Sequence, residues 1–445
     1  IATDFECGAG TDIAELRPGG FRLVVPPDPP STELARGYDY FFCARIANRT
    51  DAPRRLELEA RRPGRNQEPA WQPSRVPIFV SDDFRAWFVA DDALAGPGHE
   101  DFLVRFTLGP GEAIYLSNSI PCPPARMKAW LEAAASRHQA TTTLHSIGAS
   151  AQGRDILCLT VTDPDVPEKE KDRVLVTAGF HPAEADWLAA TAVLETILDD
   201  DPWAARVRRN FVVDVIPHAN PDGFALGTNA CNAHGVNLYW DFRAADPATA
   251  PEAACLWRWI ERNPPQLYMD FHAYVHQLHK DFRPYLRPRA DYPRAARTVV
   301  RAIDHALVTL CEGRAVRGRA TNDDRTPAAR ITAAFGTITY PKFHVHLNHG
   351  IEAARRLGVD FFRTIIDTAL PFRPLRPRTL AADRTPAPLD ALQRRWELSG
   401  PRQRLLTLTR PPTRLGVPIP KAPGLAQHWH RHLWSHRPDS VPVVG

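Results

Sequence analysis

The sequence lacks an uninterrupted apolar run of about 18 residues, which is the length that marks a membrane-spanning helix. We therefore expect no membrane contact. It also lacks a C-x-x-C pair, since its seven cysteines are scattered and odd in number. That distribution argues against a disulfide framework and against a zinc site made of cysteines. Unpaired cysteines are typical of a reducing compartment, so the sequence predicts a cytoplasmic protein.

A strong charge of one sign is missing as well. The formal net charge is only +4, and no motif that interleaves aromatic and basic residues accompanies it. We therefore expect no nucleic-acid partner. The chain has 445 residues, which predicts two or three domains at roughly 100–200 residues each. Nothing in the composition indicates an oligomeric state.

Residues 1–125 are predicted to form a small β-sandwich domain. Short runs rich in aromatic and β-branched residues are separated at close spacing by Gly, Pro and Asp, which is the pattern of such a sandwich. The predicted strands include residues 21–25, 38–47, 55–60 and 75–80. A predicted helix over residues 124–138 leads out of this domain.

Residues 126–370 show a different pattern, in which buried strands alternate with helices. The predicted strands are 173–180, 211–216, 266–271 and 335–340, and the predicted helices are 185–198, 252–261, 295–310 and 350–370. This alternation predicts an α/β fold with a mostly parallel mixed sheet flanked by helices. Proline and arginine become frequent after residue 370, so residues 371–445 are predicted to be a C-terminal extension.

A candidate metal site lies in this second region, in the tetrapeptide His181-Pro-Ala-Glu184 between a predicted strand and a predicted helix. Ligands of open α/β sheets bind at the carboxyl ends of strands. Imidazole and carboxylate suit zinc, and His272, after the predicted strand 266–271, supplies a third ligand. We predict one zinc ion per chain. The alternative for an isolated H-x-x-E is a surface histidine beside a glutamate.

The order of the motifs resembles that of a known family. Strand, H-x-x-E and helix are followed by Asn220-Pro-Asp-Gly223, then Gly235-Val-Asn-Leu238, then a strand and a histidine. This order is similar to that of the M14 zinc carboxypeptidases, and residues 144–155 resemble the opening of their catalytic domain. The resemblance covers residues 140–370. More loosely, the preceding β domain resembles the N-terminal domain of the cytosolic carboxypeptidase subfamily.

The resemblance implies a carboxypeptidase-like fold and zinc-dependent hydrolysis of a peptide or small amide substrate. In the family a glutamate moves the proton, an arginine stabilises the oxyanion, and an Asn-Arg pair holds the terminal carboxylate of the substrate. It further implies that Asn237 braces the first histidine ligand.

Several substrate-handling positions depart from the family pattern. The expected oxyanion arginine falls on Ala230, and the carboxylate anchor falls on Tyr239 and Trp240. Tyr274, just after the third ligand, is a further candidate for the pocket wall. Because an aromatic pair cannot imitate a bidentate arginine, we expect a less anionic substrate than an ordinary peptide with a free C-terminus.

The general base also departs from the pattern. The family glutamate falls on Thr339, or on Tyr340 if the register shifts by one. Neither side chain is an efficient base near neutral pH. His344, His346 and Glu352 are candidate substitutes, while the alternative for the histidines is a half-buried position in a strand.

Two functional hypotheses follow. In the first, the chain is a zinc hydrolase, a peptidase or amidase acting on a peptide or a modified amino acid through a non-standard pocket. In the second, a zinc-binding homologue has lost peptidase activity and runs different chemistry or acts as a binding scaffold. Retention of all three predicted ligands favours some zinc chemistry at this site.

Overall fold

The computed structural model describes residues 1–30, 37–62, 78–89, 93–95, 101–242, 246–274, 283–317, 325–347 and 350–375. Among these residues, no helix combines the length and the apolar character needed to cross a bilayer. Most of the predicted extension, from residue 376 onward, lies outside the described residues, as do residues 75–77 of one predicted strand.

The described residues of the N-terminal part form nine strands: β1 (Thr11–Arg17), β2 (Gly20–Val24), β3 (Cys43–Ala47), β4 (Arg54–Arg61), β5 (Phe79–Ser81), β6 (Phe88–Val89), β7 (Ala93–Ala95), β8 (Asp101–Leu108) and β9 (Ala113–Ser117). They make two sheets, ordered β1-β2-β4-β8-β7 and β3-β9-β5-β6. Alternate residues of β4 are buried, as expected for a strand with one face on a core. Leu58 of one sheet and Leu116 of the other share one buried cluster, which confirms the predicted sandwich.

After α1 (Pro124–Arg137) the chain builds a six-stranded sheet from β10 (Thr142–Ala149), β11 (Asp155–Val161), β12 (Asp172–Thr177), β13 (Phe211–Ile216), β14 (Leu267–Tyr274) and, later, β17 (Ile338–His346). Two further strands, β15 (Tyr285–Leu286) and β16 (Val316–Arg317), pair separately. The order in the large sheet is β10-β11-β13-β12-β14-β17, and the last four strands are parallel. The mostly parallel mixed sheet is therefore confirmed.

Helices cover both faces of this sheet: α2 (Trp187–Leu198), α3 (Pro202–Asn210), α4 (Pro221–Leu226), α5 (Pro251–Arg262), α6 (Arg297–Leu310), α7 (Pro327–Phe335) and α8 (Ile351–Ala369). Val174 and Val176 of β12 lie in a buried cluster with α2, α6 and α8. Leu175, between them, lies in another cluster with α5 and α7. Successive strand residues point to opposite faces, so a sheet covered on both sides needs such continuous apolar runs.

Two predicted boundaries near the candidate site were displaced. The strand predicted over residues 335–340 begins at Ile338 and runs on to His346, because α7 occupies the chain through Phe335. Gly336 ends that helix in the left-handed conformation, at φ +67°. The strand predicted over residues 266–271 continues to Tyr274, so His272 lies inside β14 rather than after it.

The N-terminal sandwich and the second region share a continuous core. Tyr40 and Phe79 of the sandwich lie in the same buried cluster as Trp130 of α1 and Val174 of β12. Because the packing is continuous across residue 125, we propose the division there as a boundary in the sequence pattern and not as a gap in the core.

Candidate metal centre

The loop between β12 and α2 carries His181 and Glu184. Gly179 begins its turn at φ +73°, where an added Cβ would lie 2.7 Å from the carbonyl oxygen of Pro217. Only glycine fits such a position without strain. Asp186 closes the turn by accepting the Gly179 N–H at 3.0 and 3.1 Å. The turn brings the side chains of His181 and Glu184 together.

The three predicted ligands converge in the structure. Nδ1 of His181 lies 3.0 Å from Oε1 of Glu184, and Nδ1 of His272 lies 3.0 Å from Oε2 of the same carboxylate. One ligand atom from each residue falls within 4.8 Å of the other two. All three side chains are buried. Two imidazoles and one carboxylate form a donor set that zinc prefers in catalytic sites.

The far side of each imidazole is also held by an oxygen. Nε2 of His181 lies 3.2 Å from Oδ1 of Asn237, and Nε2 of His272 lies 3.1 Å from Oδ2 of Asp270. Each ring therefore has an oxygen acceptor at both nitrogens. A neutral imidazole carries one proton only, so a cation between the two Nδ1 atoms and Glu184 completes the arrangement. By this test the residues fit a metal ion.

The charges of the buried side chains also favour a metal ion at this position. Burial raises the pKa of Glu184, but His272 and His181 outweigh it and hold that pKa well below its usual range. Burial lowers the pKa of His272, whereas Asp270 and Glu184 together raise it to about 10. Burial raises the pKa of Asp186 well above its usual value, with Glu184 adding to the effect. The carboxylates of Glu184 and Asp270, which contact the imidazoles, thus favour a positive charge between them.

Asn237 lies where the resemblance implies. Its Oδ1 faces His181 and also accepts the N–H groups of Tyr239 and Trp240, each at 3.2 Å. The same side chain therefore orients a predicted ligand and shapes the loop that carries the aromatic pair.

The aromatic pair, Tyr239 and Trp240, lies beside the two histidine ligands. The ring centre of Tyr239 is 4.7 Å from that of His272 and 5.9 Å from that of His181. Trp240 packs edge-on against Tyr239 at 5.1 Å, and the guanidinium carbon of Arg325 is 5.9 Å from the Trp240 ring centre. The wall of the centre is consequently aromatic.

Ala230 is fully buried and offers no side-chain donor. Its N–H is 2.5 Å from Oδ2 of Asp28, a residue of the N-terminal part. The position implied for the oxyanion arginine is therefore occupied by a loop tied to the sandwich.

The structure does not bring Thr339 or Tyr340 to the metal group, which corrects their assignment to the base. Thr339 pairs with Tyr268, four residues before His272 on the neighbouring strand, a separation of about 13 Å along a strand. Its Oγ1 lies 2.9 Å from Oγ1 of Thr332 on α7. Tyr340 lies in the buried cluster below α6 and α8. The reason is the later start and greater length of β17.

Glu352 also lies elsewhere, which corrects the second candidate base. It sits in the first turn of α8 with its side chain 60% exposed and 3.8 Å from Arg355. Arg355 bonds Glu195 near the end of α2, whereas Glu184 precedes the start of that helix. The ion pair holds Glu352 at the surface.

His344 remains in a favourable position by its backbone. It pairs in register with His272 on the neighbouring strand, and His346 pairs with Tyr274. The side chains of His344, His346 and Tyr274 lie outside the described part of the chain.

Two residues at the centre were missed by the sequence reasoning. Asp270 precedes His272 by two positions in one strand, and that spacing places both on the same face, so a signal was available. Tyr38 of the N-terminal part has its ring centre 6.0 Å from that of His181. No local pattern indicates that contact, because it joins distant segments.

The second region of the chain is similar in sequence to known proteins. The family model of the zinc carboxypeptidases, Peptidase_M14, matches residues 127–339. Cytosolic carboxypeptidase 2 of Danio rerio is 29% identical over 178 residues, which cover 37% of this chain and 24% of that protein. Human cytosolic carboxypeptidase 6 is 24% identical over 216 residues, which cover 47% of this chain and 41% of that protein. The chain thus spans less than half the length of these relatives.

Solved structures share the fold over most of the chain. A metallo-carboxypeptidase from Burkholderia cenocepacia superposes with a TM-score of 0.67 at 19% identity, covering 83% of this chain and 99% of that one. A metallo-carboxypeptidase from Pseudomonas aeruginosa, in complex with (2-guanidinoethylmercapto)succinic acid, gives a TM-score of 0.65 at 20% identity, covering 84% and 99%. Over residues 127–339, the chain is therefore similar to the M14 zinc carboxypeptidases.

Proposed function

We propose that this chain is a zinc-dependent hydrolase that cleaves a peptide or amide bond beside a non-standard pocket. The observation that carries the proposal is the pair of imidazoles with Glu184 between them. Each of their four ring nitrogens faces an oxygen acceptor. His181, Glu184 and His272 would hold one zinc ion. When bound there, zinc would polarise a scissile carbonyl and activate water.

The protein's own groups orient this centre. Asn237 and Asp270 accept the outer N–H of the two imidazoles, so that their Nδ1 atoms face inward. The N–H of Ala273 donates to Oε2 of Glu184 at 2.8 Å and keeps that carboxylate in place. These contacts preorganise the ligand set before the metal arrives.

The pocket is proposed to favour a neutral group where the family holds a carboxylate. Tyr239 and Trp240 form an aromatic wall, and Ala230 contributes no charge. Aromatic faces bind apolar and weakly polar groups and give no bidentate partner for a carboxylate. A modified residue or a neutral amide suits such a wall.

His344 is the proposed proton acceptor. Its backbone is in register with His272, and β17 contains no acidic residue. An imidazole titrates near neutral pH, which suits a general base.

Paired substrates test the pocket. A panel of peptides is offered with a free C-terminal carboxylate and, in matched form, with a neutral C-terminal amide, while elemental analysis measures zinc. We expect one zinc per chain and faster cleavage of the neutral members. Efficient release of residues from the free-carboxylate members alone would refute the proposed pocket.

A matched pair of variants tests the base. We expect His344→Gln to lower turnover at unchanged zinc content, and His346→Gln, two residues along the same strand, to have the smaller effect. Equal losses in the two variants would argue against a role for His344.

The absence of an acidic residue from β17 favours one second candidate, a zinc-binding homologue without hydrolytic activity. One zinc per chain with no cleavage of any panel member would support it. If removing the zinc changed only the melting temperature, the metal would serve the fold of a binding scaffold.

A further inference from the structure

We propose that Asp28 and Asn229 are positioning residues through which the N-terminal sandwich holds the metal centre. This inference rests on the proposed zinc site. It assigns the sandwich a part in metal binding that the ligand motifs alone do not require.

Asp28 fixes one loop of the second region. Its carboxylate accepts the N–H groups of Asn229, Ala230 and Cys231 at 2.9, 2.5 and 3.0 Å. The side-chain amide of Asn229 also donates a hydrogen bond from Nδ2 to this carboxylate, at 3.2 Å. A buried carboxylate that receives three successive backbone N–H groups sets the path of the loop, since such charge-assisted bonds are short and strong.

Asn229 joins that loop to both sides. Its Oδ1 accepts the N–H groups of Tyr40 and Phe41 in the sandwich, at 2.9 and 2.8 Å. Its carbonyl oxygen accepts the N–H of Ala183 at 3.3 Å, inside the turn that carries His181 and Glu184. One fully buried side chain and its backbone thus link the sandwich directly to the metal-binding turn.

A second route runs through the same loop. Cys231, whose N–H bonds Asp28, forms an antiparallel bridge with Asn237. Asn237 in turn holds Nε2 of His181 at 3.2 Å. Both routes end at His181 and its turn, whereas His272 is braced inside its own strand by Asp270. Loss of the Asp28 contacts should therefore loosen one side of the metal centre selectively.

Asp28→Asn in the full chain tests the inference. The substitution keeps the shape of the side chain but replaces one accepting oxygen with an NH2 group, which faces backbone N–H donors. We expect the zinc dissociation constant, measured by competition with a chelator, to rise about tenfold, the lower end of the effect of changing an outer partner of a metal site. The visible absorption spectrum of the cobalt-substituted protein should shift as well, because the ligand geometry changes.

Asp39→Asn is the matched control. Asp39 also lies in the N-terminal part and is buried, but its carboxylate pairs with Arg62 within the sandwich at 2.8 Å. We expect it to lower the melting temperature and to leave zinc affinity and the cobalt spectrum unchanged. Equal loss of zinc affinity in the two variants would show a general effect of stability and overturn the inference.

Asn229→Ser provides a milder variant should Asp28→Asn not fold. It removes the acceptor of the Tyr40 and Phe41 N–H groups while the backbone contacts stay, and weaker zinc binding is again expected. Wild-type affinity in this variant would overturn the inference. If the wild type itself bound no zinc, the proposed function would fail; if only the variants behaved like a zinc-binding wild type, the inference alone would fail.

Discussion

The two histidines of the metal centre are held in different ways. His272 lies inside β14, and its brace, Asp270, is two residues earlier in the same strand. His181 lies in a loop, and its brace, Asn237, is 56 residues away in sequence. The strand side of the centre is thus organised by local geometry, whereas the loop side depends on contacts among distant segments.

The two braces also differ in charge. Asp270 is a fully buried carboxylate that is itself oriented by the hydroxyl of Thr177 at 2.8 Å. Asn237 is neutral and divides its one oxygen among His181 and two backbone N–H groups. We infer that the strand side contributes charge and rigidity, and that the loop side contributes adaptable geometry.

Removing the residue that joins the two sides should have the largest effect. Glu184→Ala deletes the carboxylate that contacts both histidines, so we expect zinc affinity to fall by more than about a hundredfold, beyond the range for outer partners. Elemental analysis after dialysis measures the loss. Glu195→Ala, which removes a partner of Arg355 at the far end of α2, is the control and should retain zinc. Wild-type zinc content in Glu184→Ala would exclude this ligand set.

The comparison itself is tested by changing each brace. Changes of outer partners lower metal affinity by about 10–100-fold. We expect the loss for Asp270→Asn to lie near the upper end of that range, because the substitution removes a buried negative charge beside the His272 imidazole. Asn237→Ala should lie near the lower end. Chelator competition measures both. A larger loss for Asn237→Ala would reverse the comparison and make the loop side dominant.

Acid should destabilise the folded chain through His218, which follows β13. The ring stacks on Phe224 at 3.9 Å, and neither ring nitrogen has a hydrogen-bond partner among the described residues. Burial lowers its pKa to about 3. The folded chain therefore stays neutral at this site where the unfolded chain, with a pKa of about 6.5, takes up a proton. The free energy of unfolding should thus fall as pH drops from about 6.5 toward 3, by up to about 1.4 kcal/mol per pH unit.

His218→Phe keeps a flat ring and removes the titration. Denaturant unfolding at pH 7, 6 and 5 should show a shallower dependence of stability on pH in this variant than in the wild type. His305→Phe, at an exposed position of α6, is the control and should keep the steeper dependence. Equal slopes for the wild type and His218→Phe would contradict the assignment.

Thr339→Ala should have the smallest effect. It removes the hydrogen bond to Thr332 in the interior, which is worth about 1 kcal/mol. Zinc affinity should be unchanged, since Thr339 pairs with Tyr268, four residues before His272 on the neighbouring strand. A loss of zinc or of turnover comparable to that of Glu184→Ala would return Thr339 to the site.

Much of the fold was predictable because its signals are local. The buried strand Phe211–Ile216 was predicted with its observed bounds, because a short and nearly continuous apolar run is typical of a strand that is buried on both faces. β17 was displaced because α7 and its terminal Gly336 were not recognised, and a short helix next to a strand leaves no distinct periodicity. That displacement moved Thr339 and Tyr340 away from the site to which they had been assigned.

The sequence by itself determined the parallel sheet and the three candidate ligands, because strand patterning and the spacing of His181 and Glu184 are encoded within a few residues. It also encoded the pairing of Asp270 with His272. Only the tertiary structure decided that Asp28 and Asn229 of two separate regions meet behind the metal-binding turn. Contacts of that kind arise from packing between segments about 200 residues apart, and hydrogen bonding at such distance leaves no periodic trace in either segment.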